Sequence, residues 1–202
     1  MELEVKALLS EEEYYNALET LHKDEYTTEH RHDTYYSQYP TMDEGKEAGE
    51  PCIRISKSSY GQDATPAGSK AFFTLKRKSL TPNGEEINEE YESEVSDASV
   101  IEYFLAGNGY KPLLTKEKEK CSGYVNIDDL FDVHCEVEKV GDKVYAIEIE
   151  YTGPINNSVD EGKGITKDRV MKALHLTLGQ IFHIDPSRTD PRSWREILGI
   201  NA

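Results

Sequence analysis

No apolar run in this 202-residue chain approaches the ~20 residues that a membrane-spanning helix needs. The acidic opening segment has no signal-peptide layout, so a cytoplasmic location is expected. Cysteine is sparse: Cys52, Cys121 and Cys135 are scattered without CxxC spacing, and an odd count suits reduced, buried thiols better than a disulfide framework. With no internal repeat and no low-complexity linker, residues 1–202 are expected to form a single domain. Positive charge is also scarce. The chain has 23 Lys and Arg against 39 Asp and Glu, a net charge of −16, and such a field repels nucleic-acid backbones and anionic membranes. Any polyanion bound here needs a local basic pocket or metal ions.

What is present is patterned enough to fold: 37% apolar residues, with 13 tyrosines set among 31% charged residues, lie outside the disordered range. "MELEVK" alternates as a strand. "SEEEYYNALETLH" begins with Ser10 and has Glu13 three residues on, a capping box ahead of a helix whose stripe continues at Leu18 and Leu21. "EHRHDTYYSQYP" reads as a strand stopping before Pro40, and "TMDEGKEAGEP" as a polar loop. "CIRIS" and "KAFFTLKRKS" are strands joined by the flexible "SYGQDATPAGS". Pro-Asn-Gly in "LTPNGEEI" turns the chain into "NEEYESEV" as a hairpin. Ser96 is the expected cap of a helix through "ASVIEYFLA", ended by Gly107 or Gly109. Three strands follow, "LLTKEKEKCSGYVNI", "DVHCEVEKV" and "KVYAIEIEY", the last two turning at Gly141-Asp142. A long helix starts at Thr166, with Val170, Leu174, Leu178, Ile181 and Phe182 on one face, and a short helical segment lies around Trp194. About eight strands with a few helices predict an α+β protein, its antiparallel sheet large enough to close on itself.

Six of these strands carry one charged face. Glu2, Glu4 and Lys6 line up opposite Leu3, Val5 and Ala7. Arg54 stands opposite Ile53 and Ile55. Lys76 with Lys78, Glu92 with Glu94, and Lys116 with Lys118 and Lys120 form further rows, and Glu148 and Glu150 alternate with Ile147, Ile149 and Tyr151. In an ordinary sheet the charged face is solvated. Here each strand is nearly of one sign, which points to a barrel with ionic groups inward and apolar groups outward beneath helices. Charges removed from water must be paired or liganded. Carboxylates suit Mg²⁺ or Mn²⁺, and the bases suit phosphate oxygens.

These rows resemble the CYTH, or triphosphate tunnel metalloenzyme, superfamily. The ExExK signature is matched by Glu2, Glu4 and Lys6. "DTYY" at Asp33 to Tyr36, "IRIS" in place of an LRxR strand, "FTLK", the ExE pairs at Glu92/Glu94 and Glu148/Glu150, and "KEK" at Lys116/Lys118 follow in the family's order. The resemblance implies an eight-stranded antiparallel barrel holding a triphosphate and divalent cations. By position, Glu2, Glu4, Glu148 and Glu150 would hold metal, with Glu92 and Glu94 placing a second ion or its waters. Lys6, Arg54, Lys76, Lys116 and Lys118, with Lys78, would hold phosphates, and Lys6 with Tyr35 would be the general-base pair. Ser56 and Lys118 depart from the pattern, each standing where the family carries arginine, so either the substrate binds more weakly, or Lys78, Lys120 or Arg77 compensates, or catalysis is lost. Polar insertions near Gly45 and Gln62 would cover the tunnel mouth. His30 and His32 form an HxH pair that reads as a strand end, not a metal site, since no further His or Cys ligands lie nearby.

The expected function is a metal-dependent hydrolase of a small triphosphate: inorganic triphosphate, thiamine triphosphate or a nucleoside triphosphate. No membrane partner is expected, and nucleic acid only as an RNA 5′-triphosphate end; both monomer and homodimer are compatible. The alternatives are a class IV adenylate cyclase on the same scaffold and a non-catalytic polyphosphate-binding module.

Overall fold

A computed structural model describes residues 2–21, 28–60, 70–80, 86–128, 131–155 and 164–198. Eight strands run in the order β1 (Glu2–Leu9), β2 (Glu29–Ser37), β3 (Cys52–Tyr60), β4 (Lys70–Leu80), β5 (Glu86–Val95), β6 (Lys111–Asp128), β7 (Phe131–Val140) and β8 (Val144–Tyr151). Helices α1 (Glu11–Leu21), α2 (Met42–Glu47), α3 (Ala98–Gly107), α4 (Lys167–Leu176) and α5 (Trp194–Ile197) are interspersed. The strands close in the order β1-β5-β4-β3-β2-β6-β7-β8, an antiparallel barrel with helices outside. This is the architecture expected from the alternation. Of the connection expected at 59–69, Ser59 and Tyr60 belong to β3; residues 61–69, with the insertion near Gln62, and the hairpin turn at 81–85 lie outside the described residues. No helix among the described residues is long and apolar enough to cross a membrane.

The chain forms two compact units. The first comprises Met1–Tyr26, Lys78–Asn88 and Cys121–Arg192. Its core joins the apolar face of β1 (Leu3, Val5, Ala7) to Val133, Cys135 and Val137 of β7 and to Ile147 and Ile149 of β8. Tyr14, Ala17 and Leu18 of α1 and Val170, Met171 and Leu174 of α4 complete it. Full burial of a side chain such as Leu174 contributes roughly 1.5–3 kcal/mol. The Gly141 turn joins β7 to β8 with φ +56°, a left-handed conformation that favours glycine. The helix expected to run from Thr166 through Phe182 changes pitch: Thr166 caps α4, which passes into a π-helical turn over Thr177–Ile181. Leu178 stays fully buried within that turn.

The second unit comprises Thr27–Arg77, Glu89–Lys120 and Ser193–Ala202. Tyr36, Ile53 and Ile55 pack with Ala98 and Leu105 of α3. Asp97 caps this helix in place of the expected Ser96, its side chain accepting from the Ser99 N–H. Gly109 (φ +85°) closes its far end. The N–H of Tyr110 reaches the carbonyl of Leu105 and that of Gly109 reaches Ala106, a Schellman motif. The expected loop at 41–51 contains α2, for which Thr41 is the cap. Thr41 followed by Asp43 and Glu44 is a helix start within a stretch too polar to show an apolar stripe.

The Ser10–Glu13 capping box is present, with the Ser10 N–H 2.8 Å from Glu13 Oε2. Glu13 is also held by Arg188, which donates 2.8 Å to the Leu8 carbonyl, so one side chain fixes the end of β1, the start of α1 and the later segment. The Arg188 hydrogen bond, followed by the Ser10 N–H, lowers the Glu13 carboxyl to about 2. A depressed acid stabilises the fold above its ordinary value and loses that contribution as pH falls toward the folded value. Arg188→Ala should cost about 1 kcal/mol at pH 7, as expected of a partly exposed pair. In urea unfolding across pH, that difference should shrink between pH 4.5 and 2; a pH-independent difference would show that the ion pair is not its source.

Candidate functional site

Because the apolar faces of β1, β3, β7 and β8 pack beneath the helices, the alternate positions turn away from them, and there the charges gather. In the first unit these are carboxylates. Glu2 (7% exposed) and Glu4 (5%) lie on β1 with Lys6 (4%), and pairing with β8 sets Glu4 opposite Glu150 and Lys6 opposite Glu148. Glu2, Glu4 and Glu150 offer carboxylate oxygens within 4.8 Å of one another. The side-chain amide of Asn88 donates to Glu4 Oε2 at 3.0 Å, and His134 Nδ1 lies 2.7 Å from Glu150 Oε1. Burial pushes the Glu150 carboxyl up, reinforced by the charges of Glu136, Glu4 and Glu148 and opposed by a hydrogen bond from Glu2. Clustered carboxylates that resist joint ionisation are a hard oxygen donor set fitted to Mg²⁺ or Mn²⁺.

A second triad was not evident from the sequence. Glu148 groups with Glu136 and Glu138 of β7 within the same 4.8 Å limit, and the register sets Glu136 directly opposite Glu148. Like charges so placed repel. The signal for it, the alternation of Glu136 and Glu138 in "HCEVEK", is visible once β7 is treated like its neighbours.

The second unit gathers the cations. Lys116, Lys118 and Lys120 of β6 are 3–7% exposed and stand in register with Asp33, Arg31 and Glu29 of β2. The Lys116 ammonium lies 3.6 Å from Asp33 and that of Lys120 3.5 Å from Glu29. Lys116 also sits 4.7 Å from the centre of the Trp194 ring, a cation–π contact. Arg54 reaches Glu90 at 3.2 Å and Glu92 at 3.1 Å, and Lys76 reaches Glu90 at 3.1 Å. Asp33 is fully buried. Its burial raises the carboxyl, but Lys116, Arg54, Lys118 and Arg31 outweigh that and hold it well below the usual range.

Not every expected role matches the placement. Glu92 and Glu94, expected near metal, lie against cations: Glu92 between Arg31 and Arg54, Glu94 3.0 Å from Lys70 at the surface. Lys78 donates 2.8 Å to the Pro191 carbonyl and Lys6 donates 2.6 Å to the Arg192 carbonyl. Tyr35 belongs to the second unit and is paired in register with Arg54, whereas Lys6 belongs to the first. His30 and His32 pair separately with Glu119 and Glu117 at 3.9 and 3.3 Å, as strand-end residues do. Arg31, absent from the expected set, is 9% exposed and donates to Asp33, Ser56 and Glu92. Its guanidinium therefore stands beside Ser56, the position where the family that the motifs resemble carries arginine. Alternation from Glu29 through Arg31 and Asp33 to Tyr35 was the available signal.

No family model and no curated protein matches the chain. Solved structures do. The PH1819 protein of Pyrococcus horikoshii OT3 is 23% identical over 98% of both chains, with a TM-score of 0.70. HpAC1 of Hippeastrum, a proposed adenylyl cyclase described as having a dominant triphosphatase activity, is 17% identical over 98% of this chain and 95% of its own, with a TM-score of 0.62. A proposed adenylate cyclase of Vibrio parahaemolyticus is 15% identical over 98% and 97%, also with a TM-score of 0.62. The fold shared with these structures is the closed eight-stranded antiparallel barrel.

Removing the carboxylate of Asp33 strands Lys116 and Arg31 away from water, and an uncompensated buried charge costs about 3–5 kcal/mol. Asp33→Ala should lose that much in urea unfolding at neutral pH. A loss below about 1 kcal/mol, the range of a surface pair, would mean that water or another anion replaces it.

Proposed function

We propose that this chain, built on the CYTH-type barrel, hydrolyses a small triphosphate-containing molecule with Mg²⁺ or Mn²⁺. The supporting observation is the sorting of charge: a buried carboxylate triad, Glu2, Glu4 and Glu150, in one unit, and buried bases on β2, β3 and β6 in the other. In this reading Glu2, Glu4 and Glu150 hold the cation, with Glu148 as a further ligand. The bound ion would neutralise phosphate charge. Arg54, Lys76, Lys116 and Lys118 bind phosphate oxygens and stabilise the charge that develops on the transferring group. The family resemblance gives the activation of the attacking water to Lys6 and Tyr35. The acidic exterior favours inorganic triphosphate, thiamine triphosphate or a nucleotide over long RNA.

Adenylate cyclase is a second reading, favoured by the names of two structural neighbours. On ATP it predicts cyclic AMP and pyrophosphate, whereas the hydrolase releases orthophosphate. With inorganic triphosphate and Mg²⁺ or Mn²⁺, the protein should release phosphate, and Glu4→Ala should reduce turnover at least about 100-fold, the scale of losing an electrostatic stabiliser. Cyclic AMP without orthophosphate would replace this reading with the cyclase, and tight binding with neither product would leave a binding protein.

A further inference from the structure

Glu92 occupies a position that a carboxylate meant only to balance charge need not take. Its Oε2 alone accepts from Arg31 Nη2 at 3.1 Å, Arg54 Nη2 at 3.1 Å and Thr74 Oγ1 at 2.8 Å. Two guanidinium groups and a hydroxyl converging on a single anionic oxygen form the donor set that a non-bridging phosphate oxygen needs. The set is not saturated, because Arg54 Nε is a buried donor with no hydrogen-bond acceptor. Such a group is costly, and a ligand with several oxygens can reach it where a single carboxylate oxygen does not.

The two acids beside Arg31 differ in their freedom to leave. Asp33 is wholly buried and also accepts 2.6 Å from Ser56 Oγ, so it is a fixed countercharge that orients Arg31 through Nε. The Glu92 side chain is 32% exposed and can rotate toward water.

We propose that Arg31, Arg54 and Thr74 form a phosphate subsite, and that Glu92 fills it as an internal stand-in which an incoming phosphate group displaces. The inference rests on the triphosphatase reading only for the identity of the anion. Arg31 thereby supplies, from β2, the second guanidinium that Ser56 fails to supply from β3. With Glu92 swung out, Arg31 keeps Asp33 and Arg54 keeps Glu90, but the donors that met at the Glu92 oxygen are open to an oxygen of a multiply charged ligand. While Glu92 is in place, the apparent affinity is reduced by the fraction of molecules whose subsite is open.

The test is calorimetric titration of wild type, Glu92→Gln, Glu92→Asp and Arg31→Gln with inorganic triphosphate in EDTA, with circular dichroism and melting temperature confirming each fold. Glu92→Gln keeps the shape and removes the competing charge, so it should bind about tenfold more tightly. Glu92→Asp, too short to bridge both guanidinium groups, should shift the same way. Arg31→Gln should weaken binding about tenfold, the scale of one charge-assisted contact. Unchanged or weaker binding by both Glu92 variants overturns the proposal, as does unchanged binding by Arg31→Gln or no measurable binding by any of the proteins. If Glu92→Gln does not fold, Glu92→Asp decides by the same criterion. Phosphate release with metal, measured on wild type, judges the triphosphatase reading separately: a wild type that releases none sinks that reading, while the affinity ratio still decides the subsite.

Discussion

An ion removed from water has to find its counterion within the protein, and that constraint organises this molecule. Strand β1 buries both of its faces, one under helices and one on the side where the charges gather. The first kind of face is satisfied by apolar packing, as with Leu3 and Ile149 against Leu174. The second kind carries Glu, Lys, Arg and Asp across the strands, and each must be held by a neighbouring strand at the right register. Antiparallel pairing supplies this directly: Asp33 falls opposite Lys116, Glu29 opposite Lys120, and Lys6 opposite Glu148. The register is thus specified twice, by the apolar face and by the sequence of charges.

The two units solve the problem differently. In the second, acids and bases alternate closely enough to pair with one another, and the hydroxyls of Ser56 and Thr74 take up further donors and acceptors, with Arg54 Nε left without an acceptor. In the first, carboxylates face carboxylates, and burial together with their repulsion pushes the Glu150 carboxyl up, so proton uptake or a cation relieves the strain. Repulsion among like charges favours a cation, and a donor left without an acceptor favours an anion. Proteins depart from local consistency where function requires it.

Much of the fold was readable because period-two alternation is a strong signal when both faces are unambiguous. Glu2-Glu4-Lys6 against Leu3-Val5-Ala7 fixes β1 and its inward face at once, and the same argument holds for β6 and β8. The family's motif order then named the candidate residues on those strands. Arg31, Asp33, Glu136 and Glu138 were harder to find because β2 and β7 mix charge signs or interleave histidine, so they lack the single-sign row that drew attention elsewhere. The environment of Glu92 was not readable at all. An ExE pair looks the same whether it faces a metal or a guanidinium, and only the ion pairs of Glu92 with Arg31 of β2 and Arg54 of β3 distinguish the two. Helix α2 was hidden by its own polarity, and the pitch change after α4 by an apolar spacing that suits either helix type.

The opposed faces of β1 also bear on how such a gene can drift. Inserting or deleting one codon inside this strand would rotate every following side chain to the other side, driving Glu4 and Lys6 beneath α1 and α4 and Val5 among the acids. No single compensating replacement could repair that. Variation in length among descendants of this chain should therefore collect in the connections, while the strands change only by exchange of like for like, by volume at one parity and by charge at the other.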